Sequence, residues 1–329
     1  MRSVRWGIVG CGAVCEVKSG PALQQAEGSS LVAVMRRDRA KAEDFARRHG
    51  VPIVHATADA LVADPAVQAV YVATPPDSHC DIALRAAAAG KPCLVEKPMA
   101  RTYAECLAMV DAFRRAGVPL WVAYYRRALP RFQLVRQLVA DEVVGPITSA
   151  QVHLTRPLAA GGVLTDWRVV PEVSGGGLFF DLASHAFDLL DFLLGPIGDA
   201  AGFSVNTARA YRAEDVTTAA FQFEAGMVGT GVWNFNAGET VDRLTLSGST
   251  GEIATAVFDD VPVVVTQAGV RTVHEVHNPP HVHQPLVQTI LDECRGTGTC
   301  PSTGVTAART SRVLDRCVAG YYGDGRERA

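Results

Sequence analysis

The sequence predicts two domains, a doubly wound α/β domain over residues 1–124 and an α+β domain over residues 125–329. Three observations predict this. Short apolar runs alternate with single helical runs over roughly the first 120 residues. A glycine turn stands directly between the first apolar run and the first helical run. After Tyr125 the pattern changes to longer, alternating strands joined by glycine-containing turns.

Residues 4–9 form an apolar strand, and residues 13–26 a helix interrupted by Gly20-Pro21. Residues 31–35 are a second strand. Residues 39–49 are a helix, with Gly50 placed to end it. Further strands are expected at 53–55, 66–73, 92–96 and 118–124, with helices at 78–89 and 102–116. Continuous apolar strands separated by single helices imply a parallel sheet covered on both faces. Beyond residue 125, a helix at 131–141 precedes strands at 148–155, 216–224, 227–236 and 241–247. A hairpin spans 261–276, and helices at 285–295 and 305–321 close the pattern.

Composition narrows the function classes. The 329 residues are 48% hydrophobic and 20% charged, with a net charge of −3, which excludes a basic nucleic-acid or membrane-surface binder. No apolar run reaches the ~18 residues a bilayer span needs. The opening MRSVRWGIVGCG enters a strand at once and has no signal-peptide pattern, so a cytoplasmic protein is expected. Eight scattered cysteines without a CxxC pair read as reduced thiols.

Gly10-Cys11-Gly12-Ala13-Val14-Cys15 follows the first strand and opens a helix. Gly10 suits the tight turn, and Gly12 lets backbone approach a pyrophosphate at a helix N-terminus. Cys15 stands where the fingerprint has a third small residue. This is a Rossmann dinucleotide loop. At the end of the second strand, Arg36 and Arg37 occupy the place of the usual ribose-binding carboxylate, which favours NADP(H) over NAD(H). Asp38 leaves NAD(H) open.

Two other strand ends carry chemistry. The run Thr74-Pro75-Pro76-Asp77-Ser78-His79 forms a stiff wall, and Glu96-Lys97-Pro98 presents a lysine able to polarise a carbonyl. In the segment 174–191, helical spacing puts Asp181, His185 and Asp188 on one face of an otherwise apolar helix, with Asp191 following. Asp181 and His185, four residues apart, are within reach of each other, an arrangement suited to acid/base work or to a buried structural pair. His274, His277, His281 and His283 crowd into VHEVHNPPHVH. Metal binding there is a weaker alternative, because Pro279-Pro280 interrupts the spacing.

GIVGCG (7–12), ATPPDSH (73–79), EKPMA (96–100) and GGGLFFDLASHAFDLLDFLLG (175–195) resemble the Gfo/Idh/MocA oxidoreductases over nearly the whole chain. The resemblance implies a Rossmann domain followed by a domain with a large, mostly antiparallel open sheet. That sheet commonly makes the contact in a homo-oligomer, here a dimer or tetramer. It implies that Lys97, Asp181 and His185 are catalytic, and that substrates are small sugars, cyclitols or related alcohols and ketones. Tyr124, Arg126, Arg127, Trp167 and Arg168 are candidate substrate contacts through the segments 122–132 and 166–177. Gly10, Cys11, Gly12, Ala13, Val14, Arg36, Arg37, Thr74, Pro75, Pro76, His79, Glu96 and Lys97 are candidate cofactor contacts. A non-catalytic NADP(H)-binding regulator of the same fold is the alternative. The residues do not name the substrate, the direction of reaction or the subunit number.

Overall fold

The computed structural model describes residues 3–158 and 166–323. In chain order the first elements are β1 (Val4–Val9), α1 (Gly20–Gln25), β2 (Ser29–Met35), α2 (Arg39–His49), β3 (Ile53–His55), α3 (Ala58–Ala63) and β4 (Ala69–Val72). Next come α4 (His79–Ala88), β5 (Cys93–Val95), α5 (Tyr103–Ala116) and β6 (Leu120–Val122). The later elements begin with α6 (Pro130–Ala140), β7 (Ile147–Thr155), α7 (Pro171–Ser174), α8 (Leu178–Leu194), β8 (Ile197–Val205) and β9 (Val216–Phe223). They continue with β10 (Val228–Asn234), β11 (Val241–Gly248), β12 (Gly251–Thr255), β13 (Val263–Gln267), β14 (Val270–His274), α9 (Gln284–Arg295) and α10 (Gly304–Tyr322).

Two compact units emerge. The first holds the chain up to Ala100, Glu105–Ala128 and Pro279–Ala308; the second holds Arg101–Ala104, Leu129–Asn278 and the chain from Arg309 on. The return of residues 279–308 to the first unit rests on specific bonds. Glu27 N donates to Gln288 Oε1 (3.1 Å), Trp121 Nε1 to Glu293 Oε1 (3.1 Å) and Ser302 Oγ to the Val122 carbonyl (2.6 Å).

The first unit contains a six-stranded sheet in the order β3-β2-β1-β4-β5-β6, with every neighbouring pair parallel. Strand order reverses between β1 and β4, which is where parallel sheets bind dinucleotides. β4 and β5 are wholly buried, as continuous apolar strands must be. The helix after the glycine loop is not regular. Cys15–Ser19 forms a π turn in which Gly20 N donates to the Cys15 carbonyl. Pro21 has no N–H to give, and its ring would press on the carbonyl four residues back, so the ladder shifts by one residue. α2 ends at Gly50, whose φ of 65° is the left-handed cap that the sequence predicts.

The second unit contains an eight-stranded sheet in the order β14-β13-β12-β11-β7-β10-β9-β8, in which only β7 and β10 run parallel. The expected large, mostly antiparallel sheet is therefore present. α8 packs on it through aromatic rings: Phe179 and Phe187 lie 5.2 and 5.1 Å from Trp233, and Phe187 lies 5.4 Å from Phe221. Each ring removed from water contributes about 1.5–3 kcal/mol, so this contact fixes how α8 is rotated about its axis.

The chain before α8 approaches its neighbours too closely for side chains. A Cβ on Gly175, where φ is +86°, would stand 2.5 Å from the Arg101 carbonyl oxygen, and one on Gly177 would stand 2.5 Å from that of Glu214. Gly177 N donates to Glu214 Oε1 (2.8 Å), and the Tyr322 hydroxyl donates to Oε2 of the same carboxylate. This fully buried carboxylate caps α8, which has no capping side chain of its own.

Candidate active site

In the first unit, the dinucleotide loop is shaped by steric exclusion on one side and open space on the other. Gly10 has φ +93°, and a Cβ there would lie 2.7 Å from Thr74 Cγ2. A Cβ on Gly12 would meet only the Gly10 carbonyl oxygen, at 3.8 Å. The backbone at Gly12 is thus approachable, as a pyrophosphate cradle requires, and Ala13 and Val14 continue the accessible side. Cys11 is buried, and burial raises its thiol pKa to about 11.

Arg36 Nη1 donates to the Cys11 carbonyl (3.3 Å), so this half-buried guanidinium lies against the loop. Arg37 is exposed. Asp38 caps α2: its Oδ1 accepts from Lys41 N (3.2 Å) and its Oδ2 pairs with Lys41 Nζ (3.3 Å). These bonds hold the Asp38 carboxyl below its ordinary pKa.

Thr74, Pro75 and Pro76 follow β4, and the Ser78 hydroxyl bonds Thr74 Oγ1 (2.8 Å). His79 is fully buried. Its Nε2 lies 2.7 Å from the Thr74 carbonyl oxygen and its Nδ1 lies 3.1 Å from that of Pro98. The imidazole thus joins the loop after β4 to the EKP arm after β5. Burial lowers its pKa, against the opposing pull of the two carbonyls. Glu96 is also buried, and burial raises its pKa. Its Oε1 accepts from the Tyr71 hydroxyl, and its Oε2 accepts from the backbone N–H of Lys97 (3.1 Å). Lys97 is half-buried.

Tyr124 is fully buried, and the buried Arg126 guanidinium lies 4.9 Å from the Tyr125 ring centroid. Arg127, also buried, donates from Nη1 to the Pro301 carbonyl (3.2 Å). His283 stacks on Tyr125 at 4.5 Å, with Nδ1 3.9 Å from Glu96 Oε1. Burial, then the charges of Lys18, Lys97 and Arg126, lower its pKa to about 3. The sequence left this histidine among four unassigned ones. His281 Nε2 lies 3.3 Å from Gln25 Nε2. In the second unit, His277 faces Asp260 at 3.8 Å. Among the described residues no group of histidine, cysteine, aspartate or glutamate side chains is arranged to hold a metal ion. All eight cysteines are free thiols.

In the second unit, α8 carries both members of the DxxxH motif. Asp181 Oδ2 lies 3.3 Å from Arg168 Nε, and the same guanidinium bonds Asp166 through Nη1 (2.9 Å) while covering the Trp167 ring at 4.4 Å. His185 is 4% exposed and meets the Phe258 ring edge-on at 5.7 Å. Asp188 is buried, and Asp191 accepts two bonds from Arg309 (2.7 and 2.8 Å). Three structural partners lay outside the sequence reading: Tyr71 beneath Glu96, Glu214 beneath Gly177 and Phe258 beside His185. None belongs to a motif, and each comes from a distant stretch of chain.

The family profile described as "Oxidoreductase family, NAD-binding Rossmann fold" matches residues 4–124, and the "GFO/IDH/MocA C-terminal domain" profile matches residues 132–254. An oxidoreductase of Formosa agariphila is 36% identical over 315 residues, covering 95% of this chain and 97% of its own. The chain belongs to the Gfo/Idh/MocA oxidoreductase family. Another family relative, a trans-1,2-dihydrobenzene-1,2-diol dehydrogenase of Sus scrofa, is 26% identical over 76% of this chain and 73% of its own. Among solved structures, a levoglucosan dehydrogenase in complex with NADH and levoglucosan superposes with a TM-score of 0.86, at 22% identity over 96% of both chains. The aldose-aldose oxidoreductase of Caulobacter crescentus, complexed with glycerol, gives 0.87 at 22% identity over 99% of both chains. At that identity the two structures attest the shared fold. Among the described residues of this family member, no helix is long and apolar enough to cross a membrane.

Proposed function

We propose that this family member is an NADP(H)-preferring dehydrogenase or reductase acting on a secondary alcohol or ketone of a sugar, cyclitol or related polyhydroxylated molecule. The observation that carries this reading is the His79 bridge, which ties the EKP arm to the loop that packs on Gly10. The arm bearing Lys97 is thereby held at the dinucleotide end of the sheet. Relatives named for dihydrodiol, anhydrofructose and levoglucosan chemistry support the substrate class.

The residues present fit the cofactor. Gly10, Gly12, Ala13 and Val14 would hold its pyrophosphate, and Arg36, with Arg37 beside it, a 2′-phosphate. Asp38 is committed to capping α2, which favours NADP(H) over NAD(H). When bound, the nicotinamide supplies or accepts the hydride. Lys97 donates a hydrogen bond to the reacting oxygen and stabilises negative charge developing there. His185 takes the hydroxyl proton during oxidation and returns it during reduction. Asp181, braced by Arg168, orients the substrate or His185. Tyr124, Arg126, Trp167 and Arg168 supply substrate contacts. His79 and Glu96 act as positioning residues for the arm.

The assembly proposed is a homo-oligomer, a dimer or tetramer, through the outer sheet face. Phe203, Thr218, Val232, His153 and Arg243 form one exposed row across β8, β9, β10, β7 and β11, and Phe203 is 85% exposed. Eight free thiols suit a reducing, cytoplasmic setting.

Steady-state assays with NADP⁺ and NADPH against sugars, inositols and their keto forms test the reading. Turnover that His185→Ala removes supports it. Tight NADPH binding without turnover on any member of the panel would establish a regulator instead.

A further inference from the structure

Both the His185 ring and the Arg156 guanidinium lie against the Phe258 ring. The two rings meet at 5.7 Å, and the Arg156 guanidinium carbon lies 5.6 Å from the Phe258 centroid. The loop that carries Phe258 is clamped from two directions. Asp242 accepts hydrogen bonds from three successive backbone amides, Val257 (3.0 Å), Phe258 (2.6 Å) and Asp259 (2.8 Å). From α6, Arg131 Nη1 donates to the Asp259 (2.5 Å) and Val261 (3.0 Å) carbonyls. The backbone of Arg156 is held as well: its N–H donates to Asn234 (2.8 Å), and its carbonyl accepts from Ala237 (3.2 Å).

Several arginines of the second unit are paired with carboxylates. Arg168 is paired with Asp166 and Asp181, and Arg309 with Asp191. Among the described residues Arg156 has no carboxylate partner, and its buried Nε–H has no acceptor. Leaving a buried charged donor unsatisfied is costly unless a ligand completes it. A guanidinium offers two parallel N–H groups, the geometry that a carboxylate accepts. The adjoining aromatic ring suits the C–H face of a sugar or cyclitol.

The structure assigns Arg156 and Phe258 to a substrate-recognition subsite beside His185, one that takes the carboxylate of a sugar acid or other polyhydroxylated acid. This deepens the proposed function and rests on it for the role of His185. It narrows the substrate class from polyols in general to acidic ones.

The test pairs turnover with binding. D-Gluconate and D-glucuronate would be compared with sorbitol, D-glucose and glucose 6-phosphate, using NADP⁺ and NADPH. The wild type should favour the carboxylates over their neutral parents by about 10- to 100-fold in kcat/KM. Arg156→Gln should bring that ratio close to one, and Arg156→Lys should keep part of it. In thermal unfolding, the preferred carboxylate should stabilise the wild type and not Arg156→Gln. An equal preference for neutral parents, or a ratio that Arg156→Gln leaves intact, overturns the assignment. A preference for the phosphate overturns the carboxylate choice. Stabilisation that depends on Arg156, without turnover of any compound, upholds the subsite and defeats the hydride-transfer reading. Neither stabilisation nor turnover defeats both.

Discussion

Arg168 Nε lies 3.3 Å from Asp181 Oδ2, and it joins a short 3₁₀ turn to the first turn of α8. The Arg168 side chain is 40% exposed, so solvent weakens the pair, and its value lies in orientation more than in stability. Arg168→Met should lower kcat/KM about tenfold while leaving NADPH affinity within about twofold, as misplacing a reacting group does. Steady-state kinetics and a fluorescence titration of NADPH separate the two effects.

Cofactor choice should turn on Arg36. Arg36→Asp places a carboxylate beside the Cys11 carbonyl, where the guanidinium now bonds. NADPH affinity should fall about 10- to 100-fold, and NADH affinity should hold or improve. Titration of both reduced cofactors checks this. An unchanged ratio would mean that Arg37 or another cation reads the 2′-phosphate.

Gly10→Ala should be poorly tolerated for two separable reasons. The position has φ +93°, which costs an alanine roughly 1–2 kcal/mol, and its Cβ would lie 2.7 Å from Thr74 Cγ2. Thermal unfolding should show the loss even without cofactor, and NADPH titration should show weaker binding. Gly12→Ala has no such clash in the protein itself. Its defect should therefore appear in binding and not in the unfolding temperature.

His185→Ala and Lys97→Met should each reduce turnover by about 100- to 10,000-fold without preventing the fold. Circular dichroism and NADPH binding provide the controls.

Much of this architecture is legible in the amino-acid sequence. Parallel strands were readable because each is a continuous apolar run, and α2 was readable from Gly50 at its end, whereas Asp38, read as a possible ribose contact, proves to be its N-cap. Four elements escaped, among them α7, a single turn of four residues. α3 is only six residues long and is announced by little besides its Thr57 cap. β8, with the sequence IGDAAGFSV, has little strand propensity of its own and is held by pairing with β9. Gly202 within β8 is needed because a Cβ there would stand 2.5 Å from the Cys317 carbonyl oxygen. β12 follows β11 so closely that the two read as one run and its turn. Of the proposed site, helical spacing singled out Asp181 and His185, and a strand end singled out Lys97. Local spacing could not reveal Arg156 and Phe258, 102 positions apart in sequence, which only the sheet brings together.

Acid should destabilise the fold beginning near neutrality. His283 has its folded pKa lowered to about 3, and that of His79 is also lowered. As pH falls below their unfolded value, about 6.5, the unfolded chain takes up protons that the folded chain refuses. Stability should therefore decline from about pH 6.5 downward. Glu16, with its pKa lowered to about 2 by Arg48, adds its own loss only below about pH 4.5. Urea titrations at pH 7.5 and pH 5.5 should show the drop, and His283→Gln should reduce it.

The carboxylate of Glu214 receives the amide of Gly177, the residue that caps α8, on one oxygen and the hydroxyl of Tyr322, in the last turn of α10, on the other. The two helices therefore share a single anchoring atom group, although 144 positions separate Tyr322 from Leu178. Shortening α10 by its final turn would strip a donor from that anchor and slacken the helix bearing Asp181 and His185. Chain fused directly after the last turn of α10 would bear on the tyrosine on which this brace depends.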